Sequence, residues 1–378
     1  MLKICIEGWR DINQSWAIVN QRQLLELIKL PIYLKHKDIP YFQKSWNAIN
    51  NANGFTEEEN KILSSIKSPD PDENFDVVYR MSYPINLKES SSKKLFVYGT
   101  SEFQSTEDMF INGDPKEVSK REILSIITPS NWSKKGFLFA GFKEENVKVV
   151  PAGVDCNIFF PLNKEKRKSI RNKFNIKEKD FILLSIGAMT KNKGIDLLII
   201  AFAILRKKYE NLKLILKDQS NLYGVKSHSI VKSLKNSKYN NLLTDDVISN
   251  ILSLSENLNF NQLSELYGAS DCYISPYRGE GFNIPPLEAA ACGVPIVVTK
   301  GGSTDDYFDS KIGTQISSKL VKTNLKTILE PDLDSLIESI SLVIENCDNY
   351  GGIEGCKYVN NNFSWKIITE KLLKTINI

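Results

Sequence analysis

Apolar runs of strand length recur along the chain, each followed by a polar loop and then by apolar residues in helical spacing. LKICIEG (Leu2 to Gly8) predicts a strand ending in glycine, and WAIVNQRQLLELI (Trp16 to Ile28) predicts an amphipathic helix after the Gly8 to Ser15 loop. FDVVYRMSY, KKLFVYG and EILSIITPS predict three further strands at Phe75 to Tyr83, Lys93 to Gly99 and Glu122 to Ser130. NWSKKGFLFAGF then reads as a helix before VKVVPAGVD, Val147 to Asp155. FILLSIGAM (Phe181 to Met189) is the next buried-strand run, TKNKG (Thr190 to Gly194) a polar loop, IDLLIIAFAILRKKY (Ile195 to Tyr209) a helix with a basic end, and NLKLILKD (Asn211 to Asp218) a strand. Strands joined through a helix lie parallel, so the pattern predicts α/β architecture with parallel sheets. NNFSWKIITEKLLKTI (Asn361 to Ile376) predicts a last amphipathic helix, and Pro151, Gly153 and Pro161 mark the crossing between halves. The expected domains are 1–160 and 161–360, with 361–378 as the terminal helix.

The densest candidate chemistry is YRGEGFNIPPLEAAACG, Tyr277 to Gly293. Pro285 and Pro286 suit a first helical turn because they lack N–H groups and have helical φ. Cys292-Gly293 with Pro295 ends that helix. The helix start is predicted to point its dipole at Gly281-Phe282-Asn283, which favours an anionic group such as a diphosphate. Glu280 falls on the loop and Glu288 in the expected first turn. Two carboxylates so placed can hold two sets of vicinal hydroxyls through charge-assisted hydrogen bonds, each worth roughly 1.5–3 kcal/mol. A nucleotide sugar carries both sets, on its ribose and on its hexose. A Glu near a helix start is also common for dipole reasons alone.

The 378 residues suit two or three domains, and 42% hydrophobic with 25% charged residues is an ordinary globular composition. A net charge of +4 is too mild to argue for nucleic-acid binding. The basic run KEKRKSIRNKFNIKEK (Lys164 to Lys179) predicts a solvated helix face, with an anionic membrane patch the lesser reading. Six cysteines show no CxxC or zinc spacing and there are only two histidines, so no structural metal is expected. The chain enters a strand directly and no stretch reaches membrane-span length, which leads to the expectation of a cytoplasmic protein, with peripheral membrane placement as the lesser one. The loop at 187–194 is neither a Walker A motif nor a GxGxxG fingerprint, which weighs against an NTPase and a dehydrogenase.

Glu280 to Gly293 resembles the Glu-x7-Glu signature of retaining glycosyltransferases of family 4 (glycosyltransferase group 1), EGFGxPxxEAxAxG, with Asn283 in place of the second glycine. Gly187 to Gly194 resembles that family's phosphate-contacting stretch: Lys193-Gly194 matches its Lys-Gly, while Ala188 stands where the family has Arg. The resemblance is strongest from Val147 to Gly302 and at the terminal helix, which in the family packs back on the first domain. It implies a GT-B fold, two Rossmann-like domains with parallel sheets facing a central cleft. It further implies transfer of a hexosyl group, with retention, from a nucleotide-diphosphate sugar to a glycan, lipid-linked or small-molecule acceptor. No cofactor or metal is implied beyond the nucleotide sugar as co-substrate.

By the same resemblance, Lys193 and the amides near Gly8 and Gly281 would stabilise the leaving diphosphate. Glu288 would hold the ribose, and Glu280 with the Phe282-Asn283 backbone the hexose. Gly187, Gly194, Lys191 and Arg278 complete the donor set, the last two as cations that could stand in for the missing Arg or simply be solvated. The family's first-domain His has no match: His36 is expected in a helix-to-strand connection and His228 in the second domain. Gly8, Asn13, Ser15, Arg80, Thr100 and Glu102 are candidates from strand ends and loops. A nucleotide-binding protein without turnover, a GT-B sugar-nucleotide epimerase and, least, a nicotinamide-dependent oxidoreductase remain as alternatives.

Overall fold

The computed structural model describes residues 1–46, 54–105 and 109–376. The chain forms two compact units, one comprising Met1–Gly153, Thr323–Thr327 and Phe363–Ile378, the other Val154–Lys322 and Ile328–Asn362. The first crossing between them falls at Gly153, just after Pro151.

In the first unit six strands, β1 (Lys3–Gly8), β2 (Tyr33–Asp38), β3 (Val77–Met81), β4 (Lys94–Tyr98), β5 (Leu124–Thr128) and β6 (Val147–Val149), form one sheet in the order β2-β1-β3-β4-β5-β6. Every pairing is parallel. Parallel strands are covered on both faces, which is why β1 and β3 to β5 read as continuous apolar runs. The strand β2, YLKHKD, breaks that rule. It is an edge strand carrying Lys35, His36 and Lys37, so its composition hid it, and His36 lies inside it instead of in a connection. Helix α1 (Ser15–Leu27) packs on β1 and on the last helix of the chain. That last helix is shorter than expected. It spans Trp365–Thr375 behind the N-cap Ser364, whereas Asn361 to Phe363 close a separate helix, Gly352–Phe363.

The second unit repeats the plan with β7 (Phe181–Gly187), β8 (Leu212–Asp218), β9 (Ile251–Leu254), β10 (Cys272–Ser275), β11 (Ile296–Thr299) and β12 (Gly313–Ile316) in the order β9-β8-β7-β10-β11-β12. All its pairings are parallel. From β7 the chain winds outward to β8 and β9, then returns to place β10 on the other side of β7. The crevice at the carboxyl ends of β7 and β10 is therefore the topological switch point, where open α/β sheets bind ligands. Helix α2 (Ile195–Leu205) follows β7 and is apolar nearly all round because it is covered by the sheet on one side and by the helix Leu333–Glu345 on the other.

The basic run is only partly the solvated face expected of it. Within its helix, Lys164–Lys173, Arg167 donates to Gly268 O at 3.0 Å and to Asp271 Oδ1 at 2.7 Å, and the buried Arg171 donates to Ala269 O at 2.9 Å and to Asp271 Oδ2 at 3.1 Å. Two of its cations are thus spent on the carbonyls and carboxylate at the end of a neighbouring helix. Among the described residues no helix is long and apolar enough to cross a membrane.

Candidate functional site

Two loops meet at the switch point of the second sheet. The first leaves β7 at Gly187 (φ +145), continues through the buried Ala188 and Met189, makes one 3-10 turn at Lys191–Lys193, and enters α2 at Gly194 (φ +68). A Cβ on Gly194 would stand 1.9 Å from the carbonyl oxygen of Pro276, so glycine is what lets the first loop press against the second.

The second loop, Tyr277 to Asn283, leaves β10 and enters helix α3 (Ile284–Ala291). Tyr277 anchors it from below through its buried hydroxyl, 2.9 Å from Thr304 Oγ1. Asn283 adopts left-handed backbone (φ 71, ψ 74), a conformation other side chains resist but glycine and Asn accept. Its Nδ2 donates to Ser275 Oγ at 2.9 Å, and its carbonyl accepts from Tyr307 Oη at 2.8 Å. The one departure from the signature therefore keeps the glycine's backbone shape and adds a side-chain tether.

Two expectations about this helix are corrected. Pro285 and Pro286 sit at its second and third positions, so Ile284 supplies the only N–H of its first three residues. The helix start therefore offers fewer free N–H groups than a first turn without proline. Glu288 is the fifth helical residue and lies in the second turn, because the helix starts only at Ile284.

The loops bring Lys193 and Glu280 together as an ion pair between the ammonium and Glu280 Oε1, with the Glu280 residue only 5% exposed. Glu288 is buried behind them and accepts a 2.8 Å hydrogen bond from Tyr267 Oη. Burial and then the Glu288 carboxylate push the Tyr267 phenol well above its ordinary pKa, so it serves as a donor. Phe282 is buried with its ring edge-on to Tyr307 at 5.2 Å.

Arg278 does not present a free charge. Its guanidinium is held by Asp196, Glu330 and the carbonyl of Lys191. Burial opposes its charge, but the hydrogen bonds it donates to the two carboxylates outweigh that and raise its pKa. Asp196, Glu330, Tyr267 and Tyr307 were not singled out from sequence. Asp196, in the first turn of α2, carried the one usable signal, the dipole preference for an acid there.

In the first unit Gly8 closes β1, where a Cβ would meet Asn20 Nδ2 at 2.7 Å. Arg80 is buried against Glu7, with Nε 2.5 Å from Oε2. Asn13, Ser15, Thr100 and Glu102 lie on loops or at a helix start at the carboxyl edge of that sheet. His36 is fully buried, 2.9 Å from Asn20 Nδ2 through Nε2, and burial first, then Arg10, lowers its pKa to about 3. It is a neutral core histidine. His228 is an exposed helical residue. Among the described residues, no group of three or more His, Cys, Asp or Glu is arranged to hold a metal ion.

Residues 166–339 match the family profile described as Glycosyl transferases group 1. The mannosylfructose-phosphate synthase of Agrobacterium fabrum is 31% identical over 162 residues, 43% of this chain and 34% of that protein. The D-inositol 3-phosphate glycosyltransferase of Paenarthrobacter aurescens is 25% identical over 170 residues, 45% of this chain and 39% of that protein. The chain thus spans between 34% and 39% of the length of these curated relatives. Among solved structures, sucrose-phosphate synthase from Thermosynechococcus elongatus superposes with a TM-score of 0.69 at 12% identity, covering 99% of this chain and 98% of the other. Anabaena Alr3699/HepE in complex with UDP and glucose gives 0.68 at 14% identity, covering 99% of both. The fold is GT-B, two Rossmann-like α/β units. Residues 166–339, less than half of the chain, are thus the part similar to the glycosyl transferases group 1 family.

Proposed function

We propose that the protein is a retaining glycosyltransferase that moves a hexosyl group from a nucleotide-diphosphate sugar to a glycan, lipid-linked or small-molecule acceptor. The observation that carries this reading is the Lys193–Glu280 pair at the switch point, backed by Glu288 one helix turn and more behind. A cation for a diphosphate and two carboxylates for hydroxyls stand where a nucleotide sugar would lie across the sheet. In the reaction the bond from the anomeric carbon to the diphosphate oxygen breaks, a bond to the acceptor oxygen forms on the same face, and the acceptor's proton passes to the departing diphosphate. Lys193, with the amides of Gly281 to Asn283, offsets the charge that grows on the leaving diphosphate. Glu288, oriented by Tyr267, accepts from the ribose hydroxyls, and Glu280 from the hexose.

The names of the relatives support the class: two are a mannosylfructose-phosphate synthase and a D-inositol 3-phosphate glycosyltransferase. A capsular polysaccharide biosynthesis glycosyltransferase, CapM of Staphylococcus aureus, is 27% identical over 237 residues. The structural neighbour HepE, solved with UDP-glucose, supports a nucleotide-sugar donor. Because Lys193 supplies the cation, the reaction is metal-independent in this reading. The burial of Cys5, Cys272 and Cys292 as small apolar core residues fits a reducing, cytoplasmic setting.

Thermal shift with UDP, GDP and ADP, followed by release of nucleoside diphosphate from a nucleotide-sugar panel and NMR assignment of the product anomer, tests the proposal. Release of a diphosphate with an inverted product removes the retaining mechanism, and activity lost to EDTA and restored by magnesium removes metal independence. One observation favours a second reading, a nucleotide-binding protein without turnover: Ala188 is buried at 8% exposure where the family has Arg, and Arg278 is engaged elsewhere. Binding of a nucleotide without any release would select that reading.

A further inference from the structure

Arg278 has the charge for a diphosphate but the wrong surroundings, and those surroundings define a different task. We propose that Arg278, together with Asp196, is a positioning residue that locks the two donor-site loops in register so that Lys193 and Glu280 meet. This rests on the donor-site reading above.

The contacts lie on both sides of Lys193. The guanidinium forks onto Asp196, Nη1 to Oδ1 at 2.7 Å and Nη2 to Oδ2 at 2.9 Å, and Nη1 also donates to Lys191 O at 3.0 Å. The backbone N–H of Arg278 donates to Asn192 O at 2.6 Å. Asn192 answers with Nδ2 to Gly279 O at 3.2 Å. One residue of the second loop therefore holds residues 191 and 192 of the first and Asp196 of the helix that follows it, and the return bond fixes Gly279, the neighbour of Glu280. From the far side Nε reaches the Glu330 carboxylate at 3.2 Å, and Leu329 N donates to Arg278 O at 2.8 Å.

The charges lead the same way. Arg278 is 6% exposed and already faces two carboxylates, so the cluster as a whole is anionic and offers a diphosphate nothing. The planar fork matching one carboxylate at two points is a geometry that Lys cannot copy, so the site depends on Arg for shape. Asp196 sits in the first turn of α2, where the dipole favours its charge and the helix fixes its place.

The decisive variant is Asp196→Asn, which keeps the Arg278 charge while weakening its anchor. Titration calorimetry with UDP and GDP and steady-state turnover are measured on the full chain for wild type, Asp196→Asn, Arg278→Lys, Lys193→Ala and the Lys193→Ala, Arg278→Lys double variant. A positioning role predicts weaker diphosphate binding and a loss of roughly 10–100-fold in kcat/KM for Asp196→Asn, the scale of a small misplacement of a reacting group. A direct phosphate cation predicts the opposite, since freeing Arg278 would tighten diphosphate binding; that result overturns the proposal.

If Arg278 acts through Lys193, the double variant loses no more than Lys193→Ala alone, because a loop without its cation has nothing left to position. Additive losses overturn the proposal. Melting temperatures accompany every variant, and should Arg278→Lys fail to fold, Glu330→Gln takes its place, with a smaller loss in the same direction expected and tighter binding overturning the role. If wild type binds neither nucleotide and turns over no sugar nucleotide, the donor-site reading itself fails. If wild type binds and Asp196→Asn is indistinguishable from it, the positioning role alone fails.

Discussion

Lys193 and Glu280, 87 residues apart in the chain, neutralise each other across two loops at the switch point of the second sheet. In the proposed reading each holds the other until a donor arrives, and a bound diphosphate would have to take Lys193 from Glu280. In this reading donor binding is a charge exchange, with the hexose hydroxyls receiving the released carboxylate. Glu280→Gln should accordingly bind a free nucleoside diphosphate at least as tightly as wild type while its turnover falls. Lys193→Ala should lose both, with transfer down on the order of 10²–10³, the usual cost of removing one group that stabilises developing charge. Calorimetry with UDP or GDP beside turnover separates the two, and weaker diphosphate binding in Glu280→Gln would refute the exchange.

How far such a site can be seen in advance depends on what kind of signal marks it. Strands β1, β3, β4, β5, β7 and β8 announce themselves because both faces are covered and most of their residues are apolar. The edge strand β2 has no such pressure on its outer side, and its lysines and histidine disguise it. Glu280, Lys193 and Glu288 stood out because a helix start and two glycine loops surround them locally. The Arg278 clamp did not, since its partners lie 82 and 52 residues away and follow no period. The helix break at Ser364 was missed for another reason: the amphipathic pattern runs on through it, and only the cap geometry interrupts the backbone.

Glu288 makes the second test. Its buried carboxylate accepts from Tyr267 and, in the proposed complex, from the ribose. Glu288→Gln removes the charge assistance and should weaken nucleotide binding by roughly 1.5–3 kcal/mol. Tyr267→Phe, which leaves the charge but takes away the orienting hydroxyl, should weaken it less. Unchanged affinity for the diphosphate in Glu288→Gln would remove the ribose assignment.

Asn283 tests whether the loop's shape or its side chain matters. Asn283→Gly keeps the left-handed backbone and loses only the tether to Ser275, so the melting temperature and activity should change little, within about 1 kcal/mol for one neutral hydrogen bond. Asn283→Val puts a β-branched residue into the same conformation and should destabilise by about 1–3 kcal/mol, with the loop and helix α3 displaced. Equal stability of the two variants in urea would mean that the backbone conformation is not under constraint.

His36 sets the acid limit of the first unit. In the folded protein burial and Arg10 lower its pKa from 6.5 to about 3, Asp38 opposing, while the unfolded chain binds the proton at its ordinary pKa. The unfolded state therefore gains a proton that the folded state refuses. The contribution to stability is complete above about pH 6.5 and is lost as pH falls toward 3, at up to roughly 1.4 kcal/mol per pH unit. His36→Gln has no proton to gain, and its amide oxygen can still accept from Asn20 Nδ2. The variant should be less stable at neutral pH through imperfect packing, yet its stability should fall more gently between pH 6.5 and 4 than that of wild type, while acidic groups remote from position 36, such as Asp246, contribute alike to both. Urea unfolding at a series of pH values reads the two slopes, and parallel slopes would show that His36 is not the group that titrates.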